Sequence, residues 1–221
     1  MEPRHHISEE VLFSYAAGHT SHAFEVVLAS HLTLCPVCRE RMAQHEAIAG
    51  QLMEHEQPVA VNEDSLDCIF AQIAEAGPIA KAPKSRPSGR ELSDVPGPLA
   101  QLLPHSDLKS LPWQSMVPGV KQFDLTPEGG SDQTLKLLKI APGTTIPQHT
   151  HNGSELTLIL HGSYTDEMGR FKRGDIATLD SEVSHQPIAD SDEDCICLIA
   201  VDGNLKFKGL LPRLLQPIIG L

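Results

Sequence analysis

At 221 residues the chain is long enough for two small domains, each able to bury a core. Its formal net charge of −12 repels phosphate backbones and argues against direct nucleic-acid binding, and no apolar run approaches the length of a transmembrane helix. The opening MEPRHHISEE is polar and acidic, unlike a secretory signal, and five cysteines, an odd number, fit a reducing compartment better than a disulfide scaffold, so a cytoplasmic protein without membrane contact is expected.

The first 76 residues read as helices. Ser8 precedes EEVLFSYAAG, an apolar-periodic run with acids in its first turn and Gly18 at its end. From Ser21, HAFEVVLASHLTL reads as a second helix, and CPVC opens a third, with Pro36 tolerated in its first turn. His31, Cys35 and Cys38 follow one another at spacings of four and three, which on a helix stacks side chains on one face. Zn2+ takes four such ligands in a closed structural site, so a fourth must come from elsewhere. His6 is the first choice and His5 the second; His22 and His45 lie too far along the same helices, and Cys68 is distant in the chain. Two other readings compete: a C-x-x-C redox pair, which belongs after a strand, and two ordinary buried cysteines.

A fourth helix is expected in DSLDCIFAQIAEAG, where Leu66, Ile69, Phe70 and Ile73 form a stripe that fits either a partner or the domain's own core. Residues 1–76 carry 12 Asp/Glu against 3 Lys/Arg, a net of −9. Such a field suits a basic protein partner, although acidic helices also serve solubility. A histidine near position 6 followed by H-x3-C-x2-C in a short helical segment resembles the zinc-binding anti-sigma domain of bacterial anti-sigma factors. That resemblance implies a structural zinc and an extracytoplasmic-function (ECF) sigma factor as partner.

Residues 77–106 are dense in Pro, Gly and Ser and read as a linker, open to proteolytic nicking. From 107 to 221 the pattern becomes short strands: KQFDL, TLKLLKIA, ELTLILHGSYTD, GRFKRGDIATLD and CICLIAVDG. The fold class is therefore α + β in two domains, a small all-α domain followed by an all-β barrel. Between Gly143 and Gly162, His149 and His151 share a strand face, and Asn152-Gly153 signals a hairpin that returns the chain to Glu155. This stretch matches the first cupin motif, G-x5-H-x-H-x3-E-x6-G, and resembles a cupin barrel. The resemblance implies a further histidine from a second motif, best carried by His185, where the match is only partial. Three His and one Glu suit Zn, Fe, Mn or Ni; histidines satisfied by hydrogen bonds in a metal-free cupin are the other reading. His161 is read as having no special role. Cys195 and Cys197 face one side of the last strand and read as core residues, with redox sensing the sharper alternative.

Together the two halves resemble the ChrR-type anti-sigma factors. The resemblance implies a structural zinc on His6, His31, Cys35 and Cys38, and a second metal, zinc or another divalent transition metal, on His149, His151, Glu155 and His185. It also implies no enzymatic activity, and release of the sigma factor in response to singlet oxygen or related oxidants. A metal-dependent dioxygenase- or isomerase-type cupin enzyme with an accessory helical module is the alternative.

Overall fold

The computed structural model describes residues 2–76, 95–105, 107–127, 133–151, 153–202 and 205–207. Its helical half contains α1 (Glu9–Ala16), α2 (His22–Leu34), α3 (Pro36–His55) and α4 (Ser65–Glu75). Ser8 caps α1 by accepting from the Val11 N–H, and Gly18, at φ +70°, ends it. There the Gly18 and His19 N–H groups return to the Tyr15 and Ser14 carbonyls, a Schellman closure that needs the left-handed residue glycine supplies. Ser21 caps α2 in the same way as Ser8 caps α1. At α3 the cap is Cys35, whose Sγ accepts from the Cys38 N–H, and Pro36 takes the first helical position.

A short helix, α5 (Gly97–Ala100), follows, and then the strands β1 (Gln114–Val117), β2 (Val120–Asp124), β3 (Gln133–Ile140), β4 (His149–His151), β5 (Glu155–His161), β6 (Ser163–Asp166), β7 (Gly169–Lys172), β8 (Ile176–Leu179), β9 (Ile188–Ala189), β10 (Cys195–Asp202) and β11 (Leu205–Phe207). Six of them form an antiparallel sheet in the order β1-β2-β3-β10-β5-β8; β7-β6-β9 and β11-β4 form two smaller sheets. No helix is long and apolar enough to cross a membrane among the described residues.

The large sheet is buried on both faces. Inward residues Ile159, Cys195, Cys197 and Ile199 join Tyr164 and Phe171 from the small sheet in one cluster inside the barrel. Outward residues Leu135, Leu137, Leu156, Leu158, Leu160, Ile196 and Leu198 join Ala23, Phe24, Val27 and Leu28 of α2 in another. This is why β5 and β10 read as nearly unbroken apolar runs: one alternation faces the barrel and the other faces a helix. α2 is thus a layer that the helical half shares with the large sheet.

Two local expectations also change. Residues 77–94 of the expected linker lie outside the described residues, but Val95, Leu99 and Leu103 are buried, and α5 packs on α2. In the described part, Gly97 and Pro98 open α5, and Leu99 and Leu103 are buried despite the Pro and Gly around them. The hairpin expected at Asn152-Gly153 does not form: β4 pairs with β11, and β5 pairs with β8 and β10. Asn152 lies outside the described residues. Gly153 is required by a close approach, since a Cβ there would fall 1.7 Å from the Asp202 carbonyl oxygen. The two end glycines of the cupin-like motif, Gly143 and Gly162, do sit at positive φ, +71° and +66°.

Candidate metal centres

The first candidate centre forms where the N-terminal segment crosses the α2–α3 junction. His31 lies in the last turn of α2, Cys35 is the junction residue, Cys38 lies in the first turn of α3, and His6 arrives from the segment before α1. Their ligand atoms all lie within 4.8 Å of one another. His31 Nε2 is 3.3 Å from Cys38 Sγ, and His6 Nδ1 is 3.3 Å from Cys35 Sγ and 3.7 Å from Cys38 Sγ. Zn–S and Zn–N bonds of about 2.3 and 2.0 Å at a tetrahedral angle put ligand atoms about 3.6 Å apart, so this quartet is compatible with zinc. Burial holds His31 at a pKa of about 4, neutral and ready to donate a lone pair. Burial likewise pushes the Cys38 thiol up to about 11, with Cys35 beside it adding to the effect. A cation is what would stabilise thiolate here.

His5 is not in this cluster. Its ring stacks on Phe171 at 4.1 Å, and its Nδ1 lies 3.4 Å from Asp175 Oδ2. Asp175, in the turn between β7 and β8, also accepts from the Arg4 and His5 N–H groups at 2.6 and 3.0 Å and from the Lys172 N–H at 2.8 Å. Burial alone would raise its pKa, but these donors hold the carboxyl below the usual range. One barrel carboxylate therefore straps down the segment that carries His6.

The second candidate centre lies inside the barrel. His149 on β4 and His185 form a cross-strand bridge, and their Nε2 atoms come within 3.0 Å. His149 Nδ1 donates to the Pro147 carbonyl at 2.8 Å, and His185 Nδ1 pairs with Asp166 Oδ2 at 3.0 Å. A carbonyl only accepts, and so does a carboxylate, so each Nδ1 carries a proton and the two Nε2 atoms face each other within hydrogen-bond distance. An acceptor behind each ring is the usual outer arrangement of metal-binding histidines. Glu155 opens β5, is buried, and accepts from Thr157 Oγ1 at 2.7 Å. The side chain of His151 lies outside the described residues; its backbone pairs with Leu205. His161 lies at the surface, 3.0 Å from Glu193.

A family model for the ChrR cupin-like domain matches residues 105–203. Over 217 residues, 98% of either chain, the sequence is 42% identical to the anti-sigma-E factor ChrR of Cereibacter sphaeroides. The chain belongs to the ChrR family of anti-sigma factors. Its structure is similar to that of the ChrR bound to SigE of Rhodobacter sphaeroides, with a TM-score of 0.76 and 39% identity over 90% of this chain and 99% of that one.

Asp166, Tyr164 and Asp175 of this ChrR-family chain escaped the sequence reading. Asp166 and Tyr164 sit in a strand whose sequence, SYTD, gives no cupin signal. Asp175 reads as an ordinary turn residue in RGD, and nothing local says that the N-terminus docks there. Cys195 and Cys197 occupy the barrel core, and burial pushes Cys195 up to about 12 and Cys197 well above the ordinary thiol value. An exposed apolar surface lies on α4 and α3. None of the residues of α4 is buried, and Leu66, Ile69, Phe70 and Ile73 are each more than half exposed, with Ile48, Leu52 and Met53 of α3 exposed as well.

Proposed function

We propose that this ChrR-family chain is a cytoplasmic anti-sigma factor. It holds an ECF sigma factor through residues 1–76 and releases it when an oxidant such as singlet oxygen acts at the barrel centre, so regulating transcription under oxidative stress. The observation that carries the reading is the α4 stripe, left uncovered on a half of the chain with a net charge of −9. An apolar patch of this kind marks a partner surface, and its acidic surroundings suit a basic partner. The SigE–ChrR complex, similar over nearly its whole length, supports that class of partner.

His6, His31, Cys35 and Cys38 would hold a structural Zn2+ that ties the N-terminal segment to the helix junction of a domain too small to do without such a staple. His149, His151, Glu155 and His185 would hold Zn2+ or another divalent transition metal, which supplies a Lewis-acidic, oxidant-reactive centre when bound. A signal from the barrel reaches the helical half through the shared α2 layer and the Asp175 strap, and it must favour the released state in free energy. The enzyme alternative has only the metal set in its favour, and the anti-sigma relative aligned over 98% of the chain stands against it.

The test is a cell carrying Glu155→Ala. Sigma inhibition persists while the response to singlet oxygen disappears; constitutive release instead would make the barrel part of the clamp and sink the sensing role.

A further inference from the structure

Where the N-terminal segment meets the β7–β8 turn there is a cavity of about 560 Å³, lined by Arg4, Lys172 and Arg173, by Glu2 and Asp175, and by His6. That volume lies in the range of small-ligand sites. Three cations gathered at one place run against the composition of a chain with a net charge of −12. Of the two carboxylates, Asp175 is engaged by the Arg4, His5 and Lys172 N–H groups, and Glu2 is exposed. The Arg4 and Lys172 side chains pair with no carboxylate among the described residues. The segment is also held firmly against the turn. A Cβ on Gly174, at φ +92°, would come 3.0 Å from the Pro3 ring, and the Ile176 N–H reaches the His5 carbonyl.

His6 joins this cavity to the thiol cluster. Its Nδ1 faces Cys35 and Cys38, while its Nε2 has no partner among the described residues and is not sealed from solvent. An imidazole that gives its Nδ1 lone pair to a metal carries its proton on Nε2, and metal-bound histidines almost always give that N–H to an acceptor. The protein supplies an acceptor behind His185 but none behind His6. We propose that the cavity binds a small organic anion with a phosphate or carboxylate head. Arg4 and Lys172 take up its charge, and the His6 Nε2–H donates to it. Such a ligand touches the helical half through His6 and the barrel through Lys172, at the joint where the two halves meet. The donor role of His6 rests on reading the quartet as a zinc site, whereas the charge of the cavity does not.

The test is calorimetric titration of the full-length protein, zinc-loaded and zinc-free, with inorganic phosphate and with succinate, at an ionic strength held constant with chloride. At least one probe is expected to bind saturably, and which one identifies the head group. Arg4→Gln with Lys172→Gln is expected to weaken that binding roughly tenfold or more. Both residues hold Asp175 through backbone N–H groups, so the double variant should keep the native Tm in chloride. Zinc is expected to tighten anion binding on the order of fivefold, and by reciprocity the anion should raise zinc affinity in a chelator competition by the same factor. No saturable binding of either probe, or equal binding by the double variant, overturns the site. Binding that needs Arg4 and Lys172 but is indifferent to zinc overturns the part given to His6. Absence of tightly held zinc in the native protein is read separately, from its metal content, and overturns the zinc reading of the quartet instead.

Discussion

Cysteine chemistry in this chain is decided residue by residue. The C-x2-C spacing and the histidine four residues earlier are legible in the sequence, because one helix junction brings all three together. The fourth partner was open between His5 and His6, and adjacent positions of an extended segment point in opposite directions. His6 meets the thiols and His5 meets Phe171 and Asp175. For Cys195 and Cys197, alternation alone gave a shared face; the barrel makes that face the interior and keeps both thiols protonated. With the N-terminal quartet zinc-loaded, a maleimide or disulfide reagent at pH 8 is therefore expected to label one thiol quickly, the exposed Cys68 of α4. A bound sigma factor slows that labelling. Mass spectrometry of the modified protein checks both outcomes, and fast labelling of Cys197 would contradict the packing described here.

Among the elements, α4 and the β7–β8 turn have opposite characters. The α4 stripe was visible as i, i+3, i+4, i+7 periodicity, but periodicity says only that one face is apolar, not what covers it. None of it is buried among the described residues, which fits the partner surface proposed above. Replacing Phe70 and Ile73 together by Ala is expected to change stability by less than about 0.5 kcal/mol per site, while weakening sigma binding on the order of tenfold or more. Denaturant unfolding and a binding titration on the same double variant separate the two effects. The turn holding Asp175 is the reverse: unremarkable in sequence, yet its carboxylate accepts from three backbone N–H groups and neighbours His5. Asp175→Ala leaves those donors unpaired and is expected to cost about 3 kcal/mol of stability and to weaken zinc retention by freeing the His6 segment. The pH dependence follows from the depressed pKa. Stability from Asp175 is fully present above the ordinary carboxylate value and is lost as pH falls from there through the depressed folded value, so the gap between the native sequence and the variant closes in acid. Unfolding midpoints across pH 3 to 7 read this directly.

Taken whole, the molecule is less divided than its composition suggests. The switch from helical to strand periodicity placed a boundary near residue 77, and 77–94 lie outside the described residues. On either side of that gap, α2 and the large sheet share one apolar layer. Leu156, Leu158 and Leu160 are fully buried there, and exposing such side chains costs about 2 kcal/mol each. A protease site engineered between residues 77 and 94 should accordingly give two fragments that migrate together on size exclusion until denaturant is added. Immediate separation would mean that the halves are independent and that a signal from the barrel must travel by the chain alone.

The sequence by itself determined most of the elements and two local runs of candidate ligands, His31-Cys35-Cys38 and His149-His151-Glu155, because capping, periodicity and motif spacing are local. It also determined the acidity of the helical half, which is a sum over residues. Only the tertiary structure decided which histidine completes the thiol cluster, that β4 pairs with β11 instead of β5, and that α2 joins the two halves. Nor could the chain order alone have set Asp166 behind His185, Asp175 across the N-terminus, or Tyr164 in the inner cluster. Each of those contacts joins residues that chain order does not bring together, and the cost of taking polar groups out of water is offset only by partners that the fold supplies.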